Sequence, residues 1–267
     1  MNLPKEYIEI YREYLKVVNN IDKEIKSIKR IHKVGLIKLK QASQEEILSI
    51  EENIHDYDEV DHIKDKKVAT KIYNFSNGDR YIGKFINGKM NGRGQYTFAE
   101  GIDYIGEFKD NMKHGQGTCI FSNGNVYTGN FENDATSGIG KMVYENKDEY
   151  IGNWENGKKE GMGIYKWSEG SVYIGEFKEN RMEGNGICYD SKSFLIYDGE
   201  WKNDLVHGKG MYVWEDGKKY IGEFLQGKKH GEGTFYINNE LVYDGTWKFD
   251  KPCIFDKSLD EIFSIKL

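Results

Sequence analysis

The sequence predicts a mainly β protein: a thin sheet of about eight tandem hairpins, preceded by an α-helical N-terminal arm and followed by a short C-terminal helix. Three observations carry this reading. The pattern Tyr-x-Gly-x-Phe/Trp recurs at a nearly fixed interval from Tyr81 to Trp247. Glycine, Asn and Asp stand at fixed offsets inside the intervals, where hairpin turns fall. Residues 4–34 instead carry apolar side chains at heptad spacing.

The repeat begins with Tyr81-Gly83-Phe85 and continues through Tyr104-Gly106-Phe108, Tyr127-Gly129-Phe131, Tyr150-Gly152-Trp154, Tyr173-Gly175-Phe177, Tyr197-Gly199-Trp201, Tyr220-Gly222-Phe224 and Tyr243-Gly245-Trp247. The step is 23 residues, except for 24 between Tyr173 and Tyr197. A period of this size marks stacked supersecondary units. A Gly-x-Gly pair follows each Tyr by eleven and thirteen residues, from Gly92/Gly94 to Gly231/Gly233, and gives way to Ile254 and Asp256 in the last unit. Seven residues after each Tyr stand Gly88, Asn111, Asp134, Gly157, Asn180, Asp204, Gly227 and Asp250. All belong to the small set that tolerates a left-handed backbone, so a turn is expected there. Three residues before each Tyr a second turn is expected at Gly78, Gly101, Gly124, Gly170 and Gly217, with Lys147, Phe194 and Glu240 in place of glycine. The extra residue near Asp190–Ile196 is expected to alter pairing in the sixth unit.

Between turns the residues alternate with period two, as strands require. Tyr104, Gly106 and Phe108 share one face, Ile105 and Glu107 the other. Phe75, Phe98, Phe121, Tyr144, Trp167 and Trp214 form a further aromatic column, broken by Asp190 and Ile237. Rings stacked from strand to strand, with glycine leaving room for a neighbour's ring, can hold a sheet that little else covers. The composition agrees: 31 Gly and 19 Tyr stand against 2 Pro, so rings supply bulk and glycines supply space.

These units resemble MORN repeats, whose pattern is Y-x-G-x-[FW]-x-x-G-x-x-x-G-x-G. The resemblance covers residues 71–256 and implies an elongated, twisted, single-layer antiparallel sheet that serves as an attachment surface. It further implies a non-enzymatic scaffold or adaptor that mediates protein–protein interaction and links membrane and cytoskeletal structures. The array is placed at residues 67–256, the arm with an acidic linker at 1–66, and a capping helix at 257–267.

The arm opens with Pro4 in its first turn and stops at Gly35. Tyr7, Tyr14, Ile21 and Ile28 occupy one heptad position, and Ile10 and Val17 belong to the other. These six are the candidate partner-binding residues, and a homodimer is one way to cover them. A second stripe of Ile8, Tyr11, Leu15, Val18 and Ile25 widens the apolar face beyond one dimer seam. Ser43 and Glu46 form a capping box ahead of Ile47, Ile50 and Ile54.

The net charge of −6 conceals an asymmetry. Residues 1–40 carry ten basic groups against five acids, whereas residues 41–65 carry nine acids against Lys64 alone. Lys23, Lys26, Lys29, Arg30 and Lys33 therefore define an alternative reading, a peripheral module that contacts anionic phospholipids. The mildly acidic body is a poor nucleic-acid ligand, because duplex binding rests on neutralising phosphates.

No apolar run approaches the roughly 20 residues of a membrane-spanning helix, and Lys5, Glu6 and Glu9 fall where a signal peptide needs apolar residues. A cytoplasmic location is expected, with cytoskeletal or membrane association. Cys119, Cys188 and Cys253 show no metal spacing. His114, His207 and His230 recur just before the Gly-x-Gly and are read as turn residues. Glu107, Glu176, Glu200 and Glu223 are read as a solvated column. No catalytic residue, metal or cofactor is expected.

Overall fold

The computed structural model describes residues 71–253, which form seventeen β-strands and no helix. The arm with its partner-binding and lipid-binding residues, and the C-terminal helix, lie outside the described residues. Two compact units are present. The first contains β1 (Lys71–Asn74), β2 (Arg80–Ile86), β3 (Lys89–Thr97), β4 (Asp103–Lys109), β5 (Met112–Ile120), β6 (Val126–Glu132) and β7 (Ala135–Val143), with Trp154 and Glu155 from the end of β8 (Glu149–Glu155). The second contains the start of β8 with β9 (Lys158–Lys166), β10 (Val172–Lys178), β11 (Arg181–Tyr189), β12 (Leu195–Lys202), β13 (Leu205–Val213), β14 (Lys218–Leu225), β15 (Lys228–Ile237), β16 (Glu240–Lys248) and β17 (Lys251–Pro252). Within each unit, successive strands pair antiparallel in an open sheet.

Two turns alternate along the chain, and each has its own chemistry. Between β4 and β5, Asp110 and Asn111 have φ of 50° and 74°, the two positive values of a type I′ hairpin. The same geometry recurs at every turn that lies seven residues after a repeat Tyr, even where the first residue is Glu179, Gln226 or Phe249. The second turn residue also ties neighbouring repeats together. Asp134 Oδ1 accepts the Lys113 N–H at 2.8 Å, while the Asp134 N–H donates to the Lys113 carbonyl at 3.1 Å. Asn111, Asn180, Asp204 and Asp250 make the same pair of bonds to Met90, Lys159, Met182 and Lys229. Glycine at this position keeps only the backbone bond, as Gly227 does to Val206. Asp204→Gly should therefore preserve the turn yet lower stability by about 1 kcal/mol, the net worth of one such hydrogen bond. A urea midpoint equal to that of the parent would show that the carboxylate bond contributes nothing.

The other turn is longer and closes on glycine. The Phe98 N–H donates to the Ile102 carbonyl at 2.8 Å and the Gly101 N–H to the Phe98 carbonyl at 3.0 Å, with Gly101 at φ +85°. Lys147 takes the glycine place at φ 72°. The sixth unit departs from this form in a way the extra residue explains. Asp190, which interrupts the aromatic column, uses its carboxylate to accept the Lys192 and Phe194 N–H groups, and Ser193 supplies the positive φ. Phe194 is thus not the turn residue. A one-residue bulge between Leu195 and Tyr197 then restores the register at Cys188↔Tyr197, so the alteration stays local. In the last unit Asn238 and Asn239, not Glu240, carry the positive φ of a two-residue turn.

Each repeat Tyr forms the centre of its unit. The seven from Tyr81 to Tyr220 are at most 1% exposed. The Tyr104 hydroxyl donates to the Glu107 carbonyl at 2.9 Å, and the equivalent bond, three residues on, occurs at all eight repeats. This bond lays the ring flat over its own strand and the next. A Cβ on Gly117 would sit 2.7 Å from Tyr104 Cζ, and one on Gly106 only 2.6 Å from the Cα of Gly117. The space over the repeat glycines is therefore taken by the same repeat's Tyr, not by a neighbour's ring.

The two members of Gly-x-Gly consequently have separate duties. Gly117 makes room for the ring, whereas Gly115 at φ +56° turns the chain through a bulge. The bulge matches a nine-residue strand to a seven-residue partner.

Rings continue the connection from repeat to repeat. In the first unit Tyr81 packs edge-on against Phe85 at 5.1 Å and Phe108 at 5.2 Å, Tyr104 against Phe131 at 5.0 Å, and Tyr127 against Trp154 at 5.3 Å. In the second unit Tyr150 meets Phe177, Tyr173 meets Trp201, Tyr197 meets Phe224 and Tyr220 meets Trp247, all between 4.9 and 5.4 Å. Pairs of this geometry contribute about 0.5–1.5 kcal/mol each beyond the area they bury. One face of each unit is thus aromatic. The opposite face carries the alternate residues, such as Ile82, Ile105 and Thr118 in the first unit and Ile164, Ile174 and Met211 in the second.

Candidate functional site

The aromatic face carries ridges in three of the repeats, where the residue opposite the repeat Tyr is itself a Tyr. Tyr96 lies opposite Tyr81 in the strand pair, and Phe98, two residues further on, packs against it at 4.4 Å. Tyr165 with Trp167 and Tyr212 with Trp214 form the same ridge in the second unit, at 5.1 and 4.5 Å. Between ridges runs a column nine residues after each Tyr, where Met90, Lys113, Thr136, Lys159, Met182, Val206 and Lys229 stand.

Three of these are lysines laid over rings. Lys113 Nζ lies 5.9 Å from the Tyr104 ring centre and 5.7 Å from that of Phe131. Lys159 Nζ is 4.8 Å from Tyr165. Lys229, only 4% exposed, has Nζ 4.8 Å from Trp247 and just over 5 Å from Trp214 and Phe235. Burial lowers the pKa of Lys159 and Lys229, with nearby carboxylates, Asp250 beside Lys229 among them, working in the other direction. In the first unit this relief forms a groove of about 300 Å³ lined by Met90, Tyr96, Phe98, Tyr104, Phe108 and Lys113 among others. Rings and methionine take apolar side chains, and the ammonium group supplies a fixed charge for a carbonyl or carboxylate.

Two aspartates brace the ridges. Asp79 accepts the Tyr96 hydroxyl at 2.7 Å, the Ala99 N–H at 2.9 Å and the Asn77 amide at 2.8 Å. Asp148 repeats the arrangement with Tyr165, Ser168 and Asn146. The Ala99 N–H foremost, then the Tyr96 hydroxyl, hold the Asp79 carboxyl below its usual value of 3.8. At Asp148 burial opposes ionisation, but the bonds from Tyr165, Ser168 and Asn146 together outweigh it and the pKa again falls. A depressed carboxyl pKa stabilises the fold above the unfolded value near 4, and that contribution disappears as pH drops through the folded value. Asp148→Asn should accordingly flatten, relative to the parent, the fall in melting temperature as pH drops below the unfolded carboxyl value of about 4. Parallel curves for the two proteins would show that Asp148 plays no part in acid unfolding.

The structural-repeat residues named from the sequence, Tyr81 to Tyr243 with their glycines, all lie in this framework. Other expectations change. His114, His207 and His230 lie within β5, β13 and β15 and not in turns, and their carbonyls stand 3.3–3.4 Å from a repeat Tyr hydroxyl. The glutamate column remains solvated at Glu200 and Glu223, which are exposed, and Glu107, Glu176 and Glu200 in addition accept the N–H of Gln116, Asn185 and Lys209 at the bulges. Among the described residues no group of three or more His, Cys, Asp or Glu could hold a metal ion. The lysine column and the Tyr96, Tyr165 and Tyr212 ridge were not singled out in the sequence, although both recur at fixed offsets from the repeat Tyr.

Hairpins that bury one invariant ring per unit, and pass identical bonds to the next unit, define a tandem β-hairpin repeat protein. The MORN repeat model matches residues 81–102, 104–126, 127–149, 150–172, 173–193, 197–219, 220–240 and 243–253, more than half of the chain. The chain belongs to the MORN repeat family. Comparison with curated proteins finds no match. Among solved structures it is similar to the TCP domain of Drosophila melanogaster SAS-4 (dCPAP) in complex with a proline-rich motif of Ana2 (dSTIL), at 12% identity and a TM-score of 0.32, over 70% of this chain and 97% of that one. It is also similar to the TCP10 domain of Danio rerio CPAP in complex with a peptide of STIL, at 13% identity and a TM-score of 0.32, over 69% and 98%. TM-scores this low give neither likeness any bearing on function.

Proposed function

We propose that the chain is a non-enzymatic scaffold that joins protein partners, one held on the aromatic face and another recruited by the N-terminal arm. The observation that carries this reading is the open groove of Tyr96, Phe98, Tyr104 and Phe108 with Lys113 beside it. Its lining of apolar rings with a few placed polar groups is typical of surfaces that bind. Membership of a repeat family fits the same role, since stacked repeats offer extended binding surfaces. Tyr7, Ile10, Tyr14, Val17, Ile21 and Ile28 give the arm its apolar seam, which pairs with another protein or with a second copy. The cytoplasmic face of membrane or cytoskeletal structures is the proposed setting.

A second reading rests on the basic excess of residues 1–40: Lys23, Lys26, Lys29, Arg30 and Lys33 would hold an anionic phospholipid surface. Affinity purification from the native cell separates these roles. The full chain is compared with two variants, Ile10→Asp with Val17→Asp in the arm, and Phe98→Ala with Lys113→Glu in the groove. Each variant should lose its own set of proteins. Complete retention of partners by both would overturn the scaffold reading, and tight, salt-resistant binding of residues 68–267 to anionic vesicles would replace it with a lipid module.

A further inference from the structure

Adjacent hairpins are joined at their tips by cations, and one step of the array lacks its own. Eight residues after the repeat Tyr every unit but one carries a long side chain, basic in Lys89, Lys158 and Arg181. Each of these three reaches the first turn residue of the next hairpin. Lys89 Nζ lies 3.3 Å from the Asp110 carboxylate, Lys158 pairs with Glu179, and Arg181 donates to the Asn203 amide oxygen at 2.8 Å. In the third unit the position holds Ala135, and the turn residue at the matching offset is Asn156. The Gly157 N–H donates to the Thr136 carbonyl at 3.0 Å and holds that turn beside β7, as the equivalent bonds do in the other units. The acceptor is in place and the cation is missing.

The gap is a depression of about 510 Å³ in the first unit, lined by Glu132, Ala135, Ser137, Trp154, Glu155 and Asn156 among others. Its charge departs from the repeat together with its shape. Five residues after the repeat Tyr stand Lys109, Lys178, Lys202 and Lys248, but Glu132 and Glu155 in the two successive units that border the gap. Glu132 is the cross-strand partner of Ala135. Among the described residues neither carboxylate has a hydrogen bond or ion pair, and no group of three or more His, Cys, Asp or Glu is present to hold a metal ion. An organic cation therefore suits the site. Asn156 takes the place that Asn203 has beside Arg181, so the matching group is a guanidinium, whose planar fork of N–H donors serves an amide oxygen and carboxylates together. We infer that this depression receives an arginine side chain from a basic segment of a protein partner, with Glu132, Glu155 and Asn156 as acceptors. It shares no lining residue with the aromatic groove and goes beyond the binding role proposed for that groove.

Titration of the full-length chain with the peptide acetyl-Ala-Arg-Ala-amide, followed by backbone amide NMR shifts, tests this. Saturable shifts should cluster at residues 132–137 and 154–156. The same peptide with citrulline, which keeps the shape and loses the charge, should bind about tenfold more weakly or not at all. Ala135→Lys supplies from the chain the cation that Lys89 and Lys158 supply in their own units. It should lower affinity for the arginine peptide about tenfold, with the thermal melt unchanged or raised. Glu132→Lys with Glu155→Lys restores the residue this column carries in other units and should give the same loss. Affinity that survives both variants overturns the inference. So do shifts spread evenly over the surface acids, and so does equal affinity for the citrulline peptide.

Discussion

Gly152→Val is expected to unfold the hairpin that β9 and β10 share with the start of β8. A Cβ at Gly152 would lie 2.7 Å from the Cα of Gly163 on the neighbouring strand and 2.7 Å from Cζ of Tyr150. Neither can yield cheaply. The backbone is fixed by the ladder, and the Tyr150 ring is fully buried and held by its bond to the Asn153 carbonyl. Overpacking typically costs about 1–3 kcal/mol, and a clash against backbone belongs at or above the top of that range. Thermal melting by circular dichroism should show a loss of at least several degrees, with hydrogen exchange accelerated first in β8–β10. An unchanged melt would refute the packing of Tyr over paired glycines.

Removing the ring should be about as damaging as crowding it. Tyr197 is 1% exposed, packs edge-on against Trp201 at 5.3 Å and Phe224 at 5.4 Å, and donates to the Glu200 carbonyl at 2.9 Å. Tyr197→Ala leaves a cavity between two glycine strands that have no side chains with which to fill it, for an expected loss of about 3–5 kcal/mol. Tyr197→Phe keeps the ring and removes only the hydroxyl, so it should cost about 1–2 kcal/mol. Equal denaturation midpoints for the two variants would mean that the hydrogen bond, and not the ring, supports the unit.

The repeat was legible because its requirements are steric and fall on single positions. A ring lying over two backbones demands glycine beneath it, and a type I′ turn demands Gly, Asn or Asp at its second residue. What escaped the sequence depends on partners far along the chain. Asp134 reads as a turn former, yet its carboxylate also joins two repeats through Lys113. Glu107 reads as a surface acid, yet it accepts the Gln116 N–H where Gly115 turns the chain. Phe249 at φ 49° carries no turn signal, because the ladder on either side imposes the conformation. The groove was hidden for another reason. Lys113, Lys159 and Lys229 look solvated in sequence, and only the fold lays their stems over rings.

All the stitches between repeats join adjacent units: the carboxylate of Asp134 reaches back to Lys113, and Tyr104 reaches forward to Phe131. An array bonded in this way behaves as a nearest-neighbour lattice, in which each added unit contributes its own increment and only the ends lack a partner. An in-frame duplication or deletion of one 23-residue segment would keep the bonds that all repeats share, the Tyr hydroxyl bond three residues on and the ring contact with the next unit. Copy number is therefore free to drift by slippage of the gene, and selection can set the length of the surface without redesigning the shared framework.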